Sequence, residues 1–209
     1  MREKRRTTIM EKILVLIGSP QFADKSFSTQ ATHYFMDTYK TAHSDVEFDI
    51  VRVADLPEIR FTPTILAGEP TESDMQILAN RTALLEKYKA ADKIILATPM
   101  WDFGLPGTVK EVLDAFCVAG ETFKYLDAPD AEGNISTSLM PAKKILFIQA
   151  MGGQHKGTAG DLGYAQVKAL LSFIGNRELE YVAVENVAIP NVDALANAKI
   201  ELDEVVRRF

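Results

Sequence analysis

Segments of strand character separated by helical patterns constrain the fold of this chain more than any other feature. Three of them are unbroken apolar runs, at 13–17, 94–97 and 145–150. The other two are more polar, at 46–53 and 179–189. The helical patterns lie at about 27–43, 75–91, 107–118, 161–175 and 191–208. Unbroken apolar strands that alternate with helices are buried on both faces of a parallel sheet. The chain is therefore predicted to be a doubly wound α/β fold with a five-stranded sheet.

Length, charge and cysteine content limit the domain count and the partners. With 209 residues, of which 47% are hydrophobic, the chain is expected to form one domain over residues 10–209. Its formal net charge of -6 gives no electrostatic attraction to nucleic acid or to anionic membranes, so we expect neither as a partner. The single cysteine, Cys117, cannot form an internal disulfide, and no Cys/His cluster suggests a metal. This composition favours a reducing compartment, the cytoplasm.

Basic residues precede the first apolar run, which is the order found in a secretion signal. The run ILVLIG has only six residues before Ser19 and Pro20 and lacks a cleavage pattern, so we interpret it as a buried strand. No other apolar run approaches the length of a membrane span. Residues 1–9 precede Met10 and are predicted to be a disordered basic extension outside the fold.

The loop after the first strand carries hydroxyl side chains. Gly18 and Ser19 lie at the turn, and Ser26 and Ser28 follow where a helix should begin. Hydroxyls and free backbone N–H groups at a helix N-terminus suit a phosphate, although ordinary capping by Ser26 or Ser28 would explain the same residues. Neither G-x-x-x-x-G-K-[ST] nor G-x-G-x-x-G is present, which favours a monophosphate over a nucleoside triphosphate or a dinucleotide.

Two further loops should open on the same edge of the sheet. The segment PMWDFGLPG follows the third strand of the pattern and QAMGGQHKG follows the fourth. Trp101 and Phe103 either pack on a ligand or cover the end of the sheet. Gly152 and Gly153 expose backbone N–H groups, although a tight turn would also explain the pair. Ligands bind at the carboxyl ends of parallel strands, so we expect a crevice for a flat ring that carries a phosphate.

The chain resembles the FMN-dependent NADH azoreductases, which belong to the flavodoxin-like NAD(P)H:quinone oxidoreductases. The resemblance spans about residues 12–189 and is carried by ILVLIGSP, KSFSTQATHYF, ATPMWDFGLPGTVKEVLDAFCVAGETFKY, MGGQHKG and LLSFIG. It implies a flavodoxin-like sheet of order 2-1-3-4-5 and FMN as cofactor. It also implies NADH or NADPH as reductant, quinones or azo compounds as acceptors, and a homodimer.

The resemblance also assigns site residues. Those implied around the FMN phosphate are Ser19, Ser26, Phe27 and Ser28. Those implied along one side of the flavin are Pro99, Met100, Trp101, Asp102 and Phe103, with backbone amides toward the ring edge. Those implied at its pyrimidine end are Ala150, Met151, Gly152 and Gly153. Phe123 would contribute to a substrate pocket that a second subunit completes.

Two positions depart from the pattern of this family. Asp102 stands where asparagine is common, and a carboxylate beside the flavin could lower its potential or weaken its binding. That effect disappears if Asp102 faces solvent or caps the following helix. Phe27 stands where a polar residue is frequent, which could remove a contact to the phosphate or ribityl region.

The implied reaction is ping-pong, in which NADH or NADPH reduces the flavin and a quinone or azo compound then reoxidises it. The N–H groups of Gly152 and Gly153 would stabilise negative charge on the reduced flavin. His155 is either a hydrogen-bond partner of the acceptor or a solvated loop histidine. Use of NADPH would need a cation, for which Lys124, Lys156, Arg60 and Arg81 are candidates. The alternatives are a flavodoxin-type electron carrier and a flavin reductase that releases FMN.

Overall fold

The computed structural model describes residues 10–131, 133–176 and 178–209, so the predicted extension at 1–9 lies outside the described residues. The strands are β1 Glu11–Ile17, β2 Val46–Arg52, β3 Lys93–Pro99, β4 Phe123–Tyr125, β5 Ser136–Ser138, β6 Lys144–Ala150 and β7 Leu179–Val184. The α-helices are α1 Phe27–Ala42, α2 Pro63–Leu66, α3 Glu72–Ala90, α4 Gly107–Phe116, α5 Leu162–Phe173 and α6 Ala194–Val206. None of these helices is long and apolar enough to cross a membrane.

The main sheet has five parallel strands in the order β2-β1-β3-β6-β7. Counted within this sheet alone, the order is 2-1-3-4-5, which confirms the predicted flavodoxin-like topology. The strand order reverses beside β1, whose two neighbours are β2 and β3. A crevice at the carboxyl ends of β1 and β3 is therefore the expected place for a ligand.

Hydrophobic residues cover both faces of the sheet. In β1, Ile13 and Val15 pack with residues of α1 and α6, whereas Leu14 and Leu16 pack with residues of α3, α4 and α5. Successive residues of a strand point to opposite faces, and all four of these side chains are buried. The unbroken apolar runs of the sequence thus correspond to strands with helices on both sides.

The long connections contain elements that the sequence pattern did not predict. The loop at 55–74 includes α2, and the loop at 119–142 includes the antiparallel pair of β4 and β5. Helix α3 begins at Glu72 rather than near 75, because Thr71 and Asp74 form a reciprocal capping box. Strand β7 ends at Val184 instead of continuing to 189, since Asn186 has a φ of 64° and turns the chain.

Candidate functional site

Three buried serines lie where the chain leaves β1 and enters α1. Ser26 is the N-cap of α1, and its Oγ accepts the N–H of Thr29 at 3.3 Å and the hydroxyl of Thr29 at 2.8 Å. The Oγ atoms of Ser26 and Ser28 are 3.3 Å apart. Ser19 Oγ accepts the N–H of Gln21 at 3.3 Å. The capping predicted for Ser26 is therefore present, and the hydroxyls of Ser26 and Ser28 form a cluster at the helix N-terminus.

The start of α1 also presents free backbone donors. Within the described residues the N–H groups of Phe27 and Ser28 have no acceptor, as expected in the first turn of a helix. The partial positive charge of the helix dipole lies at the same place. The side chain of Phe27 is exposed and contributes no polar group to this cluster. Together these features suit an anion.

The loop after β3 is a tight hairpin. Trp101 and Gly104 exchange backbone hydrogen bonds of 3.1 and 2.9 Å, and the two residues between them have positive φ values, 47° for Asp102 and 68° for Phe103. The N–H of Met100 donates to Ala150 O at 2.7 Å, so the N–H groups of Met100 and Trp101 are both used inside the chain. Those of Asp102 and Phe103 have no acceptor among the described residues. Pro99, which ends β3, has no N–H group.

The loop after β6 is held by the segment that follows β7. The carbonyls of Met151, Gly152 and Gly153 accept the N–H groups of Val187, Ala188 and Asn186 at 3.1, 3.2 and 3.1 Å. Ala150 and Met151 are buried. The N–H groups of Gly152 and Gly153 find no acceptor in the described part of the chain, so the glycine pair presents two donors.

These loops meet at one edge of the sheet. The N–H of Gly18 donates to Ala97 O at 2.7 Å, which joins the end of β1 to β3, as Met100 and Ala150 join β3 to β6. The rings of Phe103 and His155 are 5.4 Å apart at their centroids and nearly perpendicular. Trp101 and Phe103 are each about half exposed. The structure thus brings the hydroxyl cluster, the aromatic hairpin and the glycine pair to the same edge.

Three carboxylates that the sequence analysis did not single out fix the loop around His155. Glu185 Oε1 accepts the N–H groups of His155 at 2.6 Å and of Lys156 at 2.7 Å. Asp161, which is buried, accepts the N–H of Gly157 at 3.1 Å and the hydroxyl of Tyr181 at 3.0 Å. Burial and the nearby Asp161 raise the pKa of Tyr181, so this hydroxyl stays protonated and donates. Glu201 pairs with Lys156 Nζ at 2.6 Å.

Two other residues named from the sequence pack with the hydrophobic core, Phe123 as a buried member and Cys117 as a partly buried neighbour. Phe123 is buried, with its ring centroid 4.4 Å from that of Phe173, so within one chain it packs on α5. Burial raises the pKa of the Cys117 thiol to about 11, which makes it a poor nucleophile at neutral pH. Among the residues that the structure describes, no three His, Cys, Asp or Glu side chains converge as metal ligands would.

A family model described as a flavodoxin-like fold matches residues 11–206. The chain belongs to this family. It is 34% identical to FMN-dependent NADH:quinone oxidoreductase 3 of Bacillus anthracis, over 96% of this chain and 100% of that protein. It is 30% identical to FMN-dependent NADH:quinone oxidoreductase 1 of Pseudomonas syringae pv. tomato, over 90% of this chain and 95% of that protein. The family assignment made from the sequence is confirmed.

Solved structures of similar proteins have the same fold. The azoreductase from Bacillus anthracis str. Sterne superposes with a TM-score of 0.81 at 24% identity, covering 96% of this chain and 100% of that one. An FMN-dependent NADH-azoreductase from Bacillus anthracis str. Ames Ancestor, solved in complex with FMN, gives a TM-score of 0.83 at 23% identity and covers 95% and 99% of the two chains. At this identity the likeness is one of fold.

Proposed function

We propose that this flavodoxin-like protein binds FMN, takes hydride from NADH and reduces quinones or azo compounds by two electrons in a ping-pong reaction. One observation carries the proposal. The hydroxyl cluster, the half-exposed aromatic hairpin and the two free glycine N–H groups lie at the same edge of the sheet. A phosphate attached to a flat ring matches this combination, and the relatives of the chain are named as FMN-dependent NADH:quinone oxidoreductases.

The start of α1 fits the phosphate of FMN. The hydroxyls of Ser26 and Ser28 and the N–H groups of Phe27 and Ser28 would donate to its oxygens. Ser19, buried beside the end of β1, would add a third hydroxyl. The side chain of Phe27 is exposed and would act only through its backbone. The nearby Lys25 is exposed and paired with Asp24 at 3.6 Å.

The hairpin after β3 and the loop after β6 fit the flavin ring. When bound, FMN would accept two electrons as hydride from the reductant and pass them to the acceptor. Free N–H groups of Asp102 and Phe103 on one side, and of Gly152 and Gly153 on the other, would hydrogen-bond the ring edges. Donors held in place by the fold stabilise the negative charge that develops on reduction. The side chains of Met100 and Trp101 would pack on the ring and exclude water from it.

His155 would orient the acceptor. Its backbone is fixed by Glu185, and its imidazole stands against Phe103 at the mouth of the crevice. We propose that the ring donates a hydrogen bond to a quinone oxygen or an azo nitrogen. The test is His155→Ala beside His155→Gln, which keeps a donor. If the alanine variant retains the wild-type kcat, KM and pH dependence, His155 has no such role.

NADH is the proposed reductant because the cations available for a 2′-phosphate are mostly engaged. Arg81 is buried and donates to the carbonyls of Ile59 and Asp114 at 2.8 and 3.1 Å. Arg60 pairs with Glu111 at 2.8 Å, and Lys156 pairs with Glu201. Lys124 remains exposed on β4. We therefore expect a higher kcat/KM for NADH than for NADPH.

We also propose that the protein is cytoplasmic, because NADH and a reduced Cys117 are both expected in that compartment.

An anaerobic absorbance titration tests the function. Purified protein is loaded with FMN, reduced with NADH and then mixed with a benzoquinone. Loss of the flavin band with NADH and its complete recovery with the quinone, without a semiquinone, is the expected result. FMN binding without reduction by NADH would indicate a flavodoxin-type electron carrier, and ready exchange with free FMN during turnover would indicate a flavin reductase.

A further inference from the structure

The carboxylate of Asp102 lies at the tip of the hairpin with nothing to neutralise it. The side chain is exposed between two half-exposed rings, Trp101 and Phe103. No hydrogen bond or ion pair joins it to another described residue. It does not cap α4, because Pro106 is the N-cap of that helix and no side chain bonds to its first turn. Its charge is therefore open to whatever enters the crevice.

The loop on the other side of the crevice is also acidic. Glu185, Asp161 and Glu201 hold it in place, and Lys156, paired with Glu201, is its only lysine or arginine between residues 151 and 161. At the start of α1, Lys25 is balanced by Asp24. In the described residues of the three loops, no unpaired lysine or arginine offsets Asp102.

We infer that Asp102 selects acceptors by charge, favouring neutral or cationic quinones and azo compounds over sulfonated or carboxylated ones. This inference rests on the proposed function. A sulfonate on a naphthoquinone lies on the ring that must reach the flavin, so it approaches the hairpin closely. The charges of NADH lie on its pyrophosphate, several bonds from the reacting nicotinamide, and are repelled less. Two unit charges about 8 Å apart interact by about 1 kcal/mol at an effective dielectric constant of about 40, between the values for bulk water and for a protein surface, and this changes a rate about five-fold.

The reaction with the acceptor can be tested without NADH. The FMN-loaded protein is reduced anaerobically by light with EDTA as the electron donor, and is mixed in a stopped-flow instrument with a neutral naphthoquinone or with its sulfonate. Each quinone takes two electrons as hydride from the reduced enzyme and one proton from solvent, and leaves as the quinol. The ratio of the two second-order rate constants measures selectivity, and comparison of this ratio between variants cancels the difference in quinone potential.

Asp102→Asn is the test variant, since asparagine tolerates the same positive φ. Asp45→Asn is its matched control. Asp45 is exposed directly before β2, at the opposite edge of the sheet, and its substitution removes the same charge. We expect Asp102→Asn to raise the ratio of the sulfonate rate constant to the neutral-quinone rate constant about five-fold. We expect Asp45→Asn to change neither rate. Added salt should speed the sulfonate reaction of the wild type more than that of Asp102→Asn.

A binding measurement gives a second readout that needs no turnover. Difference absorbance reports the Kd of a sulfonated azo dye for the oxidised, FMN-loaded protein, which should fall about five-fold in Asp102→Asn only. Equal changes with both quinones, the same effect in Asp45→Asn, or an unaltered dye Kd would overturn the inference while the proposed function stands. If neither quinone reoxidises the reduced wild type, the proposed function fails and the inference fails with it.

Discussion

Ser26 and Ser28 have different roles at the start of α1. Ser26 Oγ accepts two hydrogen bonds from Thr29, so it contributes to the stability of the helix whether or not a ligand is present. Ser28 Oγ has one partner, Ser26 Oγ, at 3.3 Å. A hydroxyl has one donor and two acceptor positions, so Ser28 keeps more capacity for a phosphate.

Substitution separates these tasks. We expect Ser28→Ala to raise the Kd for FMN about tenfold, the effect of one lost hydrogen bond to a charged group, and to leave the melting temperature of the apoprotein nearly unchanged. Ser26→Ala should weaken FMN binding and also lower that melting temperature, because it removes the cap. Quenching of FMN fluorescence gives the Kd, and thermal melts give the stability. Unaltered FMN affinity in Ser28→Ala would remove this serine from the phosphate site.

Sequence reasoning identified the hairpin residues but not their conformation. A two-residue turn with both φ values positive favours Asn-Gly or Asp-Gly, and here the second position is Phe103 at 68°. A bulky side chain rarely adopts this conformation, so local preference did not indicate the turn. The two hydrogen bonds between Trp101 and Gly104, and the contact of Phe103 with His155, hold it. These are contacts that only the folded chain provides.

At the scale of elements, the end of β7 determines how the loop after β6, with Gly152 and Gly153, is held in place. The sequence pattern extended this strand to 189, and the structure ends it at Val184. The residues beyond it turn at Asn186 and pair with Met151, Gly152 and Gly153 instead of continuing the sheet. The segment VENVAI resembles a strand because four of its six residues are apolar, of which Val184 is buried and Val187 half-buried, whereas Glu185 and Asn186 are the local signal that the strand has ended.

Glu185 should therefore control the mobility of the loop. In Glu185→Ala the N–H groups of His155 and Lys156 lose their acceptor, so we expect their hydrogen exchange to quicken at least tenfold while exchange in the β-strands is unaltered. Glu201→Ala is the control, because Glu201 binds the side chain of Lys156 and not the backbone. Exchange that is equally fast in both variants would show that the loop is not anchored by Glu185.

A second carboxylate organises the connection between β2 and α3. Asp74 accepts the hydroxyls of Thr62 and Thr64 at 2.6 Å each, and the hydroxyl and N–H of Thr71 at 2.7 and 2.8 Å. These hydrogen bonds, that from Thr62 first, hold the pKa of Asp74 well below its usual range. The long loop at 55–74 is thus tied to the first turn of α3.

The pH dependence of stability follows from this lowered pKa. The ionised form of Asp74 stabilises the fold above the pKa of an unfolded aspartate, about 3.9, and this contribution is lost as pH falls below it toward the folded value. We expect Asp74→Asn to melt about 5 °C below the wild type at pH 7 and the difference to shrink below pH 4. Glu72→Gln, an exposed change in the same turn, should melt like the wild type throughout. A difference that is independent of pH would contradict the role of the charge.

At the scale of the whole molecule, the sheet was predictable because its three central strands, β1, β3 and β6, are short and nearly unbroken in apolar character. Ile94, Ile95, Leu96 and Ala97 are all buried, which is possible only in a strand covered on both faces. The pair of β4 and β5 was missed because each strand has three residues, and their mostly exposed or half-buried side chains give no apolar alternation. The site could be placed by topology, since the loops after β1, β3 and β6 must open on one edge.

Several exposed apolar side chains lie around that same edge of the sheet. Trp101 and Phe103 are half exposed. Leu162 is exposed and follows the turn at Gly160, which lies against Phe103. Ile189 is exposed directly after Ala188, whose N–H donates to the carbonyl of Gly152. Exposed apolar side chains on one side of a protein are typical of an interface. We therefore propose that a second copy of the chain packs against this edge.

Sedimentation equilibrium of the FMN-loaded protein measures the mass of the species in solution and so tests whether two copies associate. We expect twice the 23.1 kDa mass of one protomer for the wild type. Leu162→Asp places a charge in the proposed interface and should shift the mass toward one protomer at micromolar concentration, because an unpaired buried charge is costly. Ile200→Asp, on the exposed side of α6, should leave the dimer intact. A single-protomer mass for the wild type would mean that each chain builds its acceptor pocket alone, with Phe123 remaining in the core.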